Sequence, residues 1–400
     1  MRIAVDARPL AFPMSGIGRY TLSLLREFAN QEIPHQLFLY CDRPFELPFP
    51  LPDHWKIRTG TISTRALSTP FAQTAFPIWA RKDRIDVFWS PRHHLPLLLP
   101  RKIRKVLTIH DAVWKRFPQT MTRGGHLMES LLMPASVKLA DSIIAVSNFT
   151  KREIIELFGT APEKIHVIYE ASSLQGALAK KESAAKPAPC EPPYFLFVGS
   201  SEPRKNLERL LTAYMHYRQA AGAHETANPP LRLVIVGSYQ WGTFDAVQFI
   251  ERHQLTHCVQ LINHIDDNTL CGIYANATAL VIPSFYEGFG LPLVEAMQWG
   301  IPLIIGDKYS GDDKSGGHNR SAAHDKTDSR GAMAEIAGDA GLPVDPLSID
   351  EITTALLRIS QDRALHHQLS ANSKARGAEF DWQRAAGQTL TLLTDRNQCL

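Results

Sequence analysis

The chain has 400 residues, with 43 Lys and Arg against 40 Asp and Glu for a net charge of +3, and 44% of it is hydrophobic. This composition excludes the disordered, collagen-like and disulfide-dense classes, and the length exceeds what one hydrophobic core usually serves, so two domains are expected. The five cysteines (Cys41, Cys190, Cys258, Cys271 and Cys399) are odd in number, scattered and without a C-x-x-C pair, which fits reduced thiols better than a disulfide framework or zinc site.

Met1-Arg-Ile-Ala-Val-Asp6 runs into a strand pattern with no secretory signal ahead of it, so a cytoplasmic location is expected. The longest apolar runs, such as Leu95–Leu99, fall far short of the roughly 20 residues that span a bilayer. Charge is uneven: residues 1–170 carry +8 and residues 171–400 carry −5. The basic clusters Arg81-Lys82-Asp83-Arg84, Arg101–Lys105 and Lys115-Arg116 suit an anionic membrane surface or an acidic acceptor as well as a plain solvated face. Nucleic acid is not expected, because neither an RNA-binding aromatic motif nor a zinc-finger spacing accompanies the charge.

In chain order, strand patterns fall at Arg2–Val5, Gln36–Tyr40, Val87–Trp89, Lys105–Ile109, Ser142–Val146 and Lys164–Ile168, with helical patterns at Gly18–Asn30 and Thr150–Phe158. Alternation of this kind predicts a parallel, doubly wound α/β sheet over residues 1–170. Residues 171–193 lose the pattern and end in prolines, as a linker would. A second series follows at Tyr194–Val198, Arg232–Val236, Val259–Leu261, Ala279–Ile282 and Pro302–Ile305, with helices starting near Asn206, Asp245, Asp266 and Leu291. It makes a second doubly wound domain over 194–375. Residues 308–331 are polar, Gly- and Ser-rich and read as a mobile loop. Ile349–Ser360 and Ala364–Leu393 look helical, and 376–400 is expected to pack back on the first domain, with Phe380 and Trp382 as anchors. Ligands of such sheets gather at the carboxyl ends of strands and in domain clefts, so the site is expected where the two domains face each other.

The most informative segment is Pro283-Ser-Phe-Tyr-Glu287-Gly288-Phe289-Gly290-Leu-Pro292-Leu-Val-Glu295. It reads as a strand end, a glycine loop and a helix start whose exposed N–H groups suit a phosphate. Glu287 and Glu295 frame it, and carboxylates accept hydrogen bonds from hydroxyl pairs, which suggests Glu295 on a ribose and Glu287 on a sugar. A glycine turn with a carboxylate favoured by the helix dipole is the plainer alternative. Val198-Gly199-Ser200-Ser-Glu202-Pro-Arg204-Lys205-Asn206 also joins a strand to a helix. Lys205 at a helix start opposes the dipole, so a bound pyrophosphate would explain it, whereas Arg204 either shares that role or points to water. Ser15-Gly16-Ile17-Gly18 is a weaker glycine loop, and His110, at the end of Thr108-Ile-His110-Asp111, is a candidate sugar contact or a structural histidine. D-x-D, P-loop, H-E-x-x-H and G-x-S-x-G motifs are absent, so no metal or other cofactor is expected.

At these residues the sequence resembles glycosyltransferase family 4, retaining enzymes of the GT-B architecture. The likeness spans nearly the whole chain. It rests on Gly16-Ile-Gly18, Ile109-His110-Asp111, Ala145-Val-Ser147, Glu202-Pro-Arg-Lys-Asn-Leu207, the E-x7-E pair Glu287/Glu295, and Glu335-Ile-Ala-Gly-Asp-Ala340 with Val344-Asp-Pro346. The resemblance implies two Rossmann-like domains and a nucleotide-sugar donor held by the second. Lys205 would hold the phosphates, Glu295 the ribose, Glu287 with the Gly288–Gly290 backbone the sugar and distal phosphate, His110 the sugar, and the loop at His264-Ile265 the base. The first domain would take a lipid-linked or oligosaccharide acceptor. Similarity to bacterial mannosyltransferases favours GDP-mannose over a UDP-sugar. Many members carry Arg where Ser200 stands, a cation for which Arg204 is the candidate substitute, and 308–331 looks like an insertion. A nucleotide-sugar epimerase and a non-catalytic nucleotide-sugar-binding protein are the competing classes.

Overall fold

The computed structural model describes residues 1–12, 14–174, 190–223, 229–237, 244–307 and 331–395. Most of the expected linker, and of the expected 308–331 loop all but Gly331, lie outside the described residues. The chain divides into two compact units, Met1–Ser173 with Asp381–Leu400, and Leu174–Phe380.

In the first unit, β1 (Arg2–Asp6), β2 (Gln36–Cys41), β3 (Lys56–Thr59), β4 (Val87–Ser90), β5 (Arg104–Ile109), β6 (Ser142–Ala145) and β7 (Ile165–Val167) form one sheet in the order β3-β2-β1-β4-β5-β6-β7. Every pairing is parallel. The central strands are apolar and buried on both faces, as helix-covered parallel strands must be. β3 escaped the sequence reading because Lys-Ile-Arg-Thr is a half-exposed edge strand with no apolar run to betray it. Helices α1 (Gly16–Asn30), α2 (Ser68–Lys82), α3 (Val113–Arg116), α4 (Arg123–Leu139) and α5 (Asn148–Phe158) follow. Ser15 caps α1 by accepting from the Gly18 N–H at 3.2 Å, so the helix begins two residues earlier than expected and Gly16 and Gly18 lie in its first turn rather than in a loop. Pro77 inside α2 and Pro134 inside α4 interrupt the apolar period that would have revealed those helices.

The second unit repeats the plan with β8 (Tyr194–Val198), β9 (Arg232–Val236), β10 (Val259–Ile262), β11 (Ala277–Ile282), β12 (Leu303–Gly306) and β13 (Gly341–Val344), in the order β10-β9-β8-β11-β12-β13. β13 is an edge strand carrying Pro343, which explains why Gly-Leu-Pro-Val did not read as a strand. Its helices are α6 (Leu207–Ala223), α7 (Ala246–Arg252), α8 (Asp267–Asn276), α9 (Leu291–Met297), α10 (Ala332–Ala337), α11 (Ile349–Gln361) and α12 (Arg363–Gly377).

The helical run expected from Ala364 to Leu393 is two helices. It breaks after α12, and Asp381 starts a terminal helix, Trp382–Thr394, by accepting from the Gln383 and Arg384 N–H groups at 3.2 and 3.0 Å. The unit boundary therefore falls at 380/381, whereas a boundary at 375/376 would cut α12. The terminal helix belongs to the first unit: Trp382 Nε1 donates to the Ser172 carbonyl at 2.9 Å, and Arg104 Nη1 donates to the carbonyls of Leu392 and Asp395 at 2.6 and 2.8 Å. Among the described residues no helix is long and apolar enough to cross a membrane.

In each sheet the strand order reverses once, between β1 and β4 and between β8 and β11, and the carboxyl ends of such neighbours are where a doubly wound sheet opens a crevice. Beside the second of these, the turns after β8 and β9 touch through backbone. A Cβ added to Gly237, where φ is +146°, would lie 1.9 Å from the Gly199 carbonyl oxygen. Gly237→Ala is therefore expected to destabilise the second unit by about 2–4 kcal/mol through overpacking and backbone strain. A urea midpoint equal to that of the unaltered protein would show that the two turns do not meet.

Candidate active site

The loops after β8 and β11 are one structure. The Phe285 N–H donates to the Arg204 carbonyl at 2.8 Å. Asn206, in the left-handed conformation at φ +61°, donates from Nδ2 to the carbonyls of Pro283 (3.0 Å) and Pro346 (2.6 Å). This clamp brings Lys205 and Glu287 together: Lys205 Nζ donates to Glu287 Oε1 at 2.5 Å, and Arg204 Nη1 donates to Glu287 Oε2 at 2.9 Å. Arg204 Nη1 also reaches the Tyr286 carbonyl at 3.1 Å, and its Nε donates to Glu202 Oε2 at 2.8 Å. Ser200, at the position where many members of the resembled family carry Arg, donates to Glu202 Oε1 at 2.7 Å. Arg204 thus faces the site and not water, correcting one of the two readings left open for it.

Lys205 and Glu287 are both buried. Burial alone would raise the Glu287 pKa, but Lys205 and Arg204 overcome it and hold the carboxyl at about 2. Burial lowers Lys205, and Glu287 opposes that shift. Glu287 is a carboxylate at neutral pH and keeps two cations in place around it.

Gly290 takes φ +97° and caps α9, a conformation for which glycine is the natural residue, and Pro292 occupies the first turn. Phe289 is buried with its ring edge-on to Phe380 at 5.9 Å, so its side chain serves packing while the chain around it turns. Glu295 is buried and accepts from the Tyr274 hydroxyl at 2.9 Å through Oε2, with Tyr274 stacked on Trp299. His264 and Ile265 follow the edge strand β10, with His264 exposed and at φ +52°.

The first unit holds the remaining candidates. His110, after β5, is fixed at both ring nitrogens: Nδ1 lies 2.8 Å from Glu170 Oε1, and Nε2 lies 2.9 Å from the Pro91 carbonyl. Its backbone N–H donates to His93 Nε2 at 3.2 Å, and Tyr20 packs edge-on at 4.8 Å. His93 and His94 in turn flank Glu129 of α4, His94 Nε2 at 3.0 Å and His93 Nδ1 at 3.7 Å. Burial lowers His94, whereas in His93 the attraction of Glu129 outweighs burial and raises it. Sequence reading missed Glu170, His93, His94 and Glu129. The only local signal was the His93-His94 pair just past the end of β4.

Two doubly wound α/β units, the second with two cations and a carboxylate clamped at its switch point, define the class of protein by its fold. The family described as "Glycosyl transferases group 1" matches residues 179–376, and "Glycosyltransferase Family 4" matches residues 14–172. The chain belongs to glycosyltransferase family 4, with the GT-B fold and hexosyltransferase activity. It is 27% identical to O-antigen chain mannosyltransferase B of Escherichia coli over 98% of both chains. It is 28% identical to O-antigen chain mannosyltransferase RfbU of Salmonella typhimurium over 54% of this chain and 55% of that one. Sucrose-phosphate synthase from Thermosynechococcus elongatus shares the fold, with a TM-score of 0.69 at 19% identity over 98% of both chains.

Replacing Glu287 by Gln would remove the carboxylate that pairs with buried Lys205 and one of the two that pair with Arg204, a loss expected to cost about 3 kcal/mol of stability at pH 7. Because the folded-state pKa is depressed, this contribution is complete above the ordinary value of 4.5 and disappears as pH falls to about 2. Denaturant titrations of both proteins at pH 7 and pH 3 should show the gap narrowing. A gap independent of pH would place the cations elsewhere.

Proposed function

We propose that the chain is a retaining mannosyltransferase of polysaccharide assembly that takes mannose from GDP-mannose and adds it to a lipid-linked oligosaccharide. The names of the mannosyltransferases it resembles support the sugar. The observation that carries the reading is the buried Lys205–Glu287–Arg204 cluster at the β8/β11 switch point. In this reading the donor C1–O bond to the diphosphate breaks while an acceptor hydroxyl oxygen bonds C1 from the same face. The acceptor proton passes to the departing phosphate oxygen, so no protein nucleophile is used. Lys205, Arg204 and the N–H groups of the Gly288–Gly290 turn meet the negative charge that grows on the leaving group. Glu295 takes ribose hydroxyls, the His264-Ile265 loop the base, and His110, held by Glu170, the transferred sugar. No divalent ion takes part, so chelators leave the rate unchanged.

The first unit is assigned the acceptor and a peripheral contact with anionic lipid. Leu97 and Leu98 in the loop after β4, and Leu127 and Leu131 one turn apart on α4, are exposed beside the exposed Arg101, Lys102 and Arg123. Leu95 N–H donates to Ser136 Oγ at 2.9 Å, which fastens that loop to α4. Exposed leucines followed or preceded in sequence by exposed cations are the chemistry that seats on such a surface.

Two measurements test the assignment. A thermal-shift panel of GDP, UDP and ADP should show GDP stabilising the chain most, and a larger shift with UDP would move the donor to a UDP-sugar. Incubation with GDP-mannose and acceptor should release GDP, about 100-fold more slowly in Lys205→Ala. An isomerised donor with no release would make the protein an epimerase, and binding without turnover would make it a sensor.

A further inference from the structure

The carboxyl edge of the first sheet is crowded with charge, and most of that charge is matched. Asp6, at the end of β1, is held by Arg8 through Nε at 2.9 Å and Nη2 at 2.6 Å, with both residues fully buried. Asp42, after β2, pairs with Arg43 at 3.0 Å. Glu129 is taken by His93 and His94, and Glu170 by His110.

Arg92 is the exception. It follows β4, the strand beside β1 at the switch point, and its backbone carbonyl accepts from Ser90 Oγ at 2.9 Å. Its side chain is half-buried, yet among the described residues the guanidinium has neither a hydrogen-bond nor an ion-pair partner. Arg8 and Arg65 lie close enough to repel it, while the nearby Asp6 and Glu129 are already engaged. Burial first, and then Arg8, pull its pKa down to about 10. Five donors in a planar fork, without a protein partner among the described residues, match a phosphate or diphosphate, which would meet them with two parallel hydrogen bonds. The loop that starts at Arg92 continues into the exposed Leu97 and Leu98, and Leu98 is 68% exposed. His94 and Leu95 bind that loop to α4, where Leu127 and Leu131 are exposed. Cation and apolar surface therefore belong to one stretch of chain.

We propose that Arg92, supported by Arg65, is an anion subsite of the first unit that takes the phosphate or diphosphate of an alkyl-linked acceptor, with the alkyl chain running along the leucines of this loop and α4. This rests on the reading of the chain as a transferase with a lipid-linked acceptor, and it names the part of that acceptor which the first unit grips.

The test uses the full chain with its donor site filled by whichever nucleoside diphosphate stabilises it most, titrated with farnesyl diphosphate, with farnesol and with inorganic pyrophosphate. Farnesyl diphosphate should bind about tenfold or more tightly than farnesol. Arg92→Gln should abolish that difference while the affinity for the nucleoside diphosphate stays the same, and Arg92→Lys should restore part of it. Pyrophosphate should compete with farnesyl diphosphate. Equal binding of farnesyl diphosphate and farnesol by the unaltered chain overturns the proposal, as does an unchanged preference in Arg92→Gln. Weaker nucleoside diphosphate binding in that variant also overturns it, by assigning Arg92 to the donor. If Arg92→Gln does not fold, the exposed Arg65→Gln serves: it should weaken farnesyl diphosphate but not farnesol, and equal effects on both sink the proposal. Failure of every nucleoside diphosphate to bind would refute the transferase reading, and the farnesyl diphosphate titration without nucleotide would still judge Arg92.

Discussion

The second unit of this protein depends on a carboxylate buried between two cations. Taking Lys205, Arg204 and Glu287 out of water separately would be prohibitive, and together they are tolerable only because every charge has a close partner. Those partners come from loops about 80 residues apart in the chain, after β8 and after β11, which are neighbours only because the sheet order places them side by side. Sheet topology thus makes the cluster possible. In turn the cluster, with the Phe285 and Asn206 backbone clamps, fixes the shape of the glycine turn that precedes α9. The cations are held by the protein's own groups, and electrostatic stabilisation from groups already held costs no reorganisation during a reaction.

The first unit applies the same rule to different residues. At its carboxyl edge Asp6, Asp42, Glu129 and Glu170 are each answered by a basic group, and the pairing Glu129–His93–His110–Glu170 ties α4, the ends of β4 and β5 and the segment after β7 into one polar network. A histidine fixed at both ring nitrogens and at its backbone N–H has little freedom to turn. This gives His110 an orientation that no reading of Thr-Ile-His-Asp in isolation could supply.

Both sheets, the α/β class and the second-unit motif were legible in the sequence because their signals are local. Parallel buried strands show as apolar runs, and a strand, a glycine loop and a helix start show as Ile282 to Glu295 within one short segment. What stayed hidden was either disguised or distant. The edge strands β3 and β13 lack apolar runs, and prolines interrupt α2 and α4. Glu170 lies 60 residues from the His110 it holds, and Glu129 lies 35 from His94, so no spacing rule could have joined them. The ion pair between Lys205 and Glu287 was missed for the same reason, although each residue had been singled out for its own place in the chain.

The paired state of Lys205 also bears on how an anionic ligand would enter. A lysine this buried loses affinity for its proton through desolvation, and Glu287 counteracts that loss. Under the proposed function Glu287 would act on the phosphate indirectly: it holds the Lys205 ammonium in place and opposes its loss of a proton, at the cost of a negative charge beside an incoming diphosphate. Arg204 reduces that cost, since its guanidinium binds Glu287 through Nη1 and Glu202 through Nε. With two carboxylates against two cations the cluster is close to neutral, so it repels a diphosphate far less than Glu287 alone would. Under the proposed function, affinity for the leaving group would come from rearranged hydrogen bonds in this cluster, not from surplus positive charge.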